Sequence, residues 1–207
     1  MLRFHNYSKG YGKKPVIAIP GLTLDHGIYW LRGENGSGKT TLIKSIAGLI
    51  PFNGDIEASG TNIKKNRIAY TSIVNYAEAE PVYPEFLTGN DLISFFATAK
   101  KAPVNQSEKL TATLGISGYK GNKTGTYSSG MTKKLSLVLG FLGNPKIILL
   151  DEPLITLDVQ SVAALQALIL QSFAEGITFI ITSHQEIVLG TAPVSRLLIA
   201  DKSLVGI

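Results

Sequence analysis

The chain has 207 residues, of which 44% are hydrophobic and 17% charged, with a formal net charge of +5 and no cysteine. That composition describes one globular domain, or one with a subdomain, and excludes a disordered chain, a disulfide framework and cysteine-ligated zinc. The basic excess comes largely from the scattered pairs Lys13-Lys14, Lys64-Lys65, Lys100-Lys101 and Lys133-Lys134. This is the pattern of a solvated surface, so no nucleic-acid partner is expected. No basic opening segment leads into an apolar stretch, and no run approaches the ~18 apolar residues of a membrane span. The expectation is a soluble or peripheral protein in the cytoplasm.

Residues 1 to 31 read as short strands with turns between them. Tyr7 to Pro15 looks turn-rich, and Val16 to Ile19 follows as a strand. An aromatic ring ahead of a phosphate loop can stack on an adenine face; Tyr11 is the candidate, and ordinary packing explains it equally well. Gly27-Ile28-Tyr29-Trp30-Leu31 is a glycine followed by an apolar run, as a buried strand should be.

The stretch Gly33-Glu34-Asn35-Gly36-Ser37-Gly38-Lys39-Thr40-Thr41 fills every fixed place of the phosphate-binding pattern G-x-x-x-x-G-K-[ST]. Glycines let the backbone turn with its N–H groups inward around a phosphate chain. Lys39 reaches the β- and γ-phosphates, and Thr40 can place its hydroxyl on a bridging Mg²⁺. Leu42, Ile43, Ile46, Ala47 and Leu49 recur at helical spacing until Gly48 and Pro51 stop the helix. The helix directs its positive end at the same anion.

From Gly54 to Tyr76 the pattern favours strand, in Asp55 to Ala58 and again in Arg67 to Tyr70. Residues 77 to 126 then read as a helical insertion, with helices at Asn90 to Ala97 and Glu108 to Leu114. Thr126-Tyr127-Ser128-Ser129-Gly130-Met131-Thr132 opens a further helix carrying Leu135, Val138, Leu139 and Leu142. It is either an ordinary helix cap or a second anion site.

Ile147 to Leu150 form a buried strand that ends in Asp151 and Glu152, where ligands collect in a parallel sheet. Asp151 would hold Mg²⁺ directly or through water, and Glu152 could take a proton from a water behind the γ-phosphate. A helix from about Val159 to Phe173 follows. The strand Ile177 to Thr182 then delivers His184 to the same carboxyl edge, where it can contact the γ-phosphate.

Taken in order, these stretches resemble the ATP-binding subunit of ABC transporters over nearly the whole chain. Gly33 to Thr41 matches the Walker A motif, Ile147 to Glu152 the Walker B motif with its catalytic glutamate, and His184 the switch histidine. Asp158 looks like the D-loop aspartate, and Tyr11 falls at the place of the adenine-stacking aromatic. The resemblance implies an α/β P-loop NTPase with a RecA-like core sheet, an N-terminal antiparallel β subdomain and an inserted helical subdomain. Residues 1–76 and 143–207 would be core, and about 77–142 helical. It also implies ATP and Mg²⁺ as ligands, and two subunits facing head to tail. Ser128 and Gly130 would then touch the γ-phosphate bound by the other subunit. A transmembrane permease subunit would place the protein on the inner face of the membrane, one of its helices entering an apolar groove near Phe86.

Two departures from the family stand out. Tyr127-Ser128-Ser129-Gly130-Met131 replaces the usual Leu-Ser-Gly-Gly-Gln, a form similar to some exporter-type subunits, and no glutamine lies between Arg67 and Pro103. Counting from Tyr70 puts Ile73 at the Q-loop place; counting back from Tyr83 puts Glu78 or Glu80 there. The rival reading is a soluble ABC-type ATPase acting on ribosomes or nucleic acid. A single Walker A without heptads or a basic arm argues against it. Asn122-Lys123-Thr124-Gly125 lacks the final aspartate of a guanine-reading Asn-Lys-x-Asp, and Glu152 beside Asp151 suits water activation better than kinase chemistry.

Overall fold

A computed structural model describes residues 1–12 and 14–206; Lys13 and Ile207 lie outside the described residues. Two sheets organise them. The first is antiparallel, in the order β2-β1-β4-β5, built from β1 (Leu2–Tyr11), β2 (Lys14–Leu24), β4 (Asn53–Ala58) and β5 (Thr61–Asn62). The second, in the order β10-β9-β3-β8-β7-β6, is formed by β3 (Ile28–Arg32), β6 (Val74–Ala77), β7 (Ile147–Asp151), β8 (Thr178–Thr182), β9 (Val194–Ala200) and β10 (Ser203–Gly206). All its pairings are parallel except β9 with β10.

Side-chain alternation divides the second sheet between two cores. Ile147 and Leu149 of β7 face the helix α1 (Lys39–Ile46), whose Leu42, Ile43 and Ile46 also meet Leu2, Phe4 and Ile17 of the first sheet. Ile148 and Leu150 face the opposite way, into a core shared by α3 (Gly89–Ala99), α4 (Gln106–Thr113), α5 (Ser129–Phe141) and α6 (Val159–Ala174). The layers are therefore antiparallel sheet, α1, mixed sheet and outer helices. All five residues of β7 are buried, as a strand covered on both faces requires.

Three expectations are corrected. Arg67 to Tyr70 is the first part of a helix, α2 (Arg67–Ile73), not a strand. Asn66 caps it by accepting the Ala69 N–H, while the buried Tyr70 hydroxyl donates to Ile46 O and Arg67 to Gly48 O. Tyr7 to Tyr11 continues β1 instead of turning, because that strand is paired with both β2 and β4 and a bulge between Lys9 and Gly10 absorbs the irregularity. β2 runs beyond Ile19 to Leu24 through Pro20, which is tolerated because β2 is an edge strand.

Candidate functional site

β3, β8 and β7 lie side by side, and their carboxyl ends are level: Leu31 and Asp151 are both in register with Thr182. The phosphate loop, Asp151-Glu152 and His184 all leave the sheet at this edge. In the loop, Gly38 has φ 110° and a Cβ there would stand 2.9 Å from Val16 Cγ1, so neither the conformation nor the space admits a side chain. α1 starts at Lys39 with no side-chain cap and no acid in its first turn. α2, α3, α5 and α6 are capped by the side chains of Asn66, Thr88, Ser128 and Asp158, while α4, like α1, has no side-chain cap but lies away from this edge. The first N–H groups of α1 are thus left for an anion. Lys39 Nζ folds back to Gly33 O at 2.7 Å and Glu34 O at 3.1 Å, and the buried Ser37 hydroxyl has no partner.

The acids are held by a short hydroxyl relay. Thr182 Oγ1 accepts the Glu152 N–H at 2.9 Å and donates to Asp151 Oδ1 at 2.6 Å, while Tyr76 OH donates to Asp151 Oδ2 at 3.3 Å. Burial, reinforced by the Asp151 charge, pushes the Tyr76 phenol well above its ordinary pKa, so it remains a donor. Glu152 has φ 45°, an uncommon conformation for a residue with a side chain. Its Oε2 accepts the His184 backbone N–H at 3.3 Å. Its Oε1 is buried without a hydrogen bond, 3.5 Å from His184 Nε2. A carboxylate oxygen so placed can accept a proton from water or from the imidazole.

These groups line one cleft of about 320 Å³, bounded by Asn35, Gly36, Gly38 to Thr41, Ala79, Asp151, Glu152 and His184. Lys133, in the first turns of α5, is buried behind it and donates to Glu78 O, Ala79 O and Asp151 O at 2.8 to 3.0 Å. It joins the exit of β6 to the acid strand. Burial lowers its pKa to about 8, with Asp151 and neighbouring acids opposing the shift. At the β6 exit, the region counted for the Q-loop, Ala79 lines the cleft, whereas Ile73 ends α2.

The other candidates lie outside the cleft lining. Tyr11 is half-exposed at the end of β1, with Lys9 Nζ 4.6 Å above its ring. Ser128 caps α5 through the Met131 N–H, and a Cβ on Gly130 would sit 2.9 Å from Thr156 O. Asp158 caps α6 through the Ser161 N–H at 2.8 Å and pairs with Lys134 at 2.9 Å. Lys134 and hydrogen bonding from Ser161 hold its carboxyl below the usual range. Ser128, Gly130 and Asp158 thus form a second, neighbouring cluster. An apolar groove of about 310 Å³ lies between β6, α2 and α3, but Tyr83, Val82 and Phe96 line it instead of the exposed Phe86.

The family model for the ABC transporter matches residues 21–155, from the last residues of β2 to just past the acid strand. The chain belongs to the ABC transporter family. As an ABC protein it binds ATP and is an ATPase with the P-loop NTPase fold. It is 31% identical over 188 residues to the uncharacterized ABC transporter ATP-binding protein YybJ of Bacillus subtilis, covering 90% of this chain and 86% of that one. It is 30% identical over 194 residues to the human retinal-specific phospholipid-transporting ATPase ABCA4, covering 89% of this chain but spanning 8% of that protein. A solved ATP-binding subunit of an ABC transporter superposes with a TM-score of 0.89 at 24% identity, covering 98% of this chain and 87% of that chain, which shows the fold. Among the described residues no helix is long and apolar enough to cross a membrane.

Sequence reasoning missed Thr182, Tyr76 and Lys133. Thr182 had a legible signal, a hydroxyl ending a buried strand beside His184; the other two become visible only once β6 and α5 are placed against β7.

Proposed function

We propose that this ABC ATPase hydrolyses ATP to power transport through a separate transmembrane permease subunit, using Glu152 as general base. The observation that carries the proposal is the Glu152 carboxylate. The Glu152 backbone is anchored through its N–H to Thr182, its carboxylate is held against His184 with one oxygen free of hydrogen bonds, and the residue lines the same cleft as the phosphate loop. The loop N–H groups and Lys39 would bind the phosphates; Glu152 would take the proton of a water in line with the γ-phosphate, and His184 would contact that phosphate and keep the carboxylate aimed.

Mg²⁺ would be held by the Thr40 hydroxyl and Asp151, where it supplies charge neutralisation at the β- and γ-phosphates. The residues fit such a shared ion. Both Asp151 oxygens already accept one bond and keep further lone pairs, and among the described residues no group of three or more His, Cys, Asp and Glu could hold a metal alone.

Two copies would face head to tail, so that Ser128 and Gly130 of one reach the γ-phosphate of the other. Their position outside the cleft of their own chain supports this reading. Residues 77–142 would act as the helical subdomain, and its groove at Val82, Tyr83 and Phe96 would take a cytoplasmic helix of the permease, placing the protein on the inner membrane face. A soluble ATPase on ribosomes or nucleic acid is the alternative.

Light scattering and co-purification test the assembly. Mg-ATP should convert a Glu152→Gln monomer into a dimer, and Ser128→Arg should prevent it. Val82→Asp, at an exposed position, should leave ATP binding intact while abolishing co-purification with a membrane protein. A dimer that persists with Ser128→Arg would reduce the 127–131 loop to a helix cap. Recovery with ribosomes or DNA and absence from membranes would favour the soluble ATPase.

A further inference from the structure

Trp30 lies in the strand that leads into the phosphate loop, on the face opposite Leu31, and belongs to the core packed beneath the outer helices. It is 4% exposed, yet its indole is not merely packed: Nε1–H donates to Ser183 O at 3.0 Å in a buried hydrogen bond. The register explains the reach. Trp30 pairs with Ile181 across β3 and β8, so Ser183 is the diagonal neighbour two residues on, within range of a long aromatic side chain.

Ser183 immediately precedes His184. The turn it begins is closed by its own hydroxyl, which accepts the Gln185 N–H at 3.0 Å. His184 in turn gives its backbone N–H to Glu152 Oε2 and sets Nε2 3.5 Å from Oε1. The same indole is flanked by the guanidinium groups of Arg32, 4.6 Å from the ring centroid, and Arg196 at 5.9 Å. Arg196 pairs with Glu186 at 2.5 Å, just beyond the histidine. Residues 183 to 186 carry no regular backbone ladder, so their position depends on these side-chain attachments.

We infer that Trp30 is a positioning residue for hydrolysis: its indole N–H fixes the Ser183 carbonyl, and through that peptide the orientation of His184 against Glu152. This deepens the proposed site and rests on His184 acting there. A removed donor would leave a buried carbonyl unpartnered and let the histidine turn drift, lowering the chemical step while the phosphate loop still binds nucleotide.

The test is a double-mutant cycle on the full chain, with kcat, KM and ATP affinity measured for the parent, Trp30→Phe, His184→Ala and the double variant. Because the chain has a single tryptophan, a second replacement is available. Production in a tryptophan auxotroph with β-(3-benzothienyl)alanine keeps the bicyclic shape and removes only the donor. Both replacements should lower kcat about 5- to 30-fold with ATP affinity within about twofold, and neither should lower it further in His184→Ala. If His184→Ala is impaired but the tryptophan replacements keep parental kcat, or lower it equally in both backgrounds, the positioning role is overturned. If His184→Ala itself hydrolyses at the parental rate, the reading of the site fails and this inference with it.

Discussion

Lys133 shows how a single side chain couples the cleft to the scaffold. Its ammonium donates to carbonyls of β7 and of the segment after β6, and burial brings its pKa down to about 8 in the folded protein, against about 10.4 for a free side chain. Between those values the unfolded chain binds more protons, so this group's contribution to stability rises with pH and falls again as pH drops through about 8. Urea unfolding at pH 7.5 and 9.5 should show the parent gaining roughly 1–2 kcal/mol relative to Lys133→Met over that interval. Parallel shifts in the two proteins would mean that Lys133 titrates as a solvated lysine. Above pH 10 the buried Tyr7 and half-buried Tyr83, both raised by burial to about 12, work in the opposite direction because their phenols ionise at lower pH in the unfolded chain. A second residue-scale prediction concerns Lys39, whose ammonium rests on loop carbonyls that a phosphate would replace. Lys39→Ala should weaken ATP binding by at least tenfold in titration calorimetry, whereas unchanged affinity would move the phosphate site elsewhere. The sequence marked Lys39 by its motif but left Lys133 as one of four basic pairs, since nothing in a lysine pair says which member points inward.

At the scale of elements, helix caps separate structure from function. Asp158 accepts the Ser161 N–H and pairs with Lys134, so Asp158→Ala should lower Tm by roughly 2–4 °C, while Asp158→Asn should retain most of the cap. Calorimetry that finds Ala and Asn equivalent would assign the stability to the ion pair instead. α1 differs because its start is left to glycine, and that difference was legible from Gly33 to Thr41 alone. The strands ending at Asp151 and Thr182 were legible for a related reason: short continuous apolar runs are dictated by burial on both faces. The α2 region was not, because Ile68 and Tyr70 stand two apart, as residues on one face of a strand would, although Ile68 is 86% exposed and Tyr70 fully buried. Only Asn66, a residue suited to capping, carried the helix signal. β1 was obscured in the same way by Ser8 and Gly10, whose turn preference is overridden by pairing on both sides.

In the whole molecule, three chain segments that are distant in sequence, the phosphate loop, Asp151-Glu152 and His184, meet at one sheet edge. Register, not proximity in sequence, makes this possible: β8 lies between β3 and β7, so Thr182 touches the Glu152 backbone and Asp151 while His184 reaches the Glu152 carboxylate. The arrangement gives Glu152 a fixed backbone and one carboxylate oxygen without a hydrogen bond, beside His184, and such an oxygen can take up a proton. Glu152→Gln keeps size and hydrogen-bonding capacity while removing the basic oxygen, so it separates the two roles. The deciding measurement is single-turnover hydrolysis of Mg-ATP by the parent and by Glu152→Gln, with ATP affinity determined alongside. The variant should bind ATP as the parent does and hydrolyse it about 10²- to 10⁴-fold more slowly; hydrolysis at the parental rate would contradict Glu152 as the base.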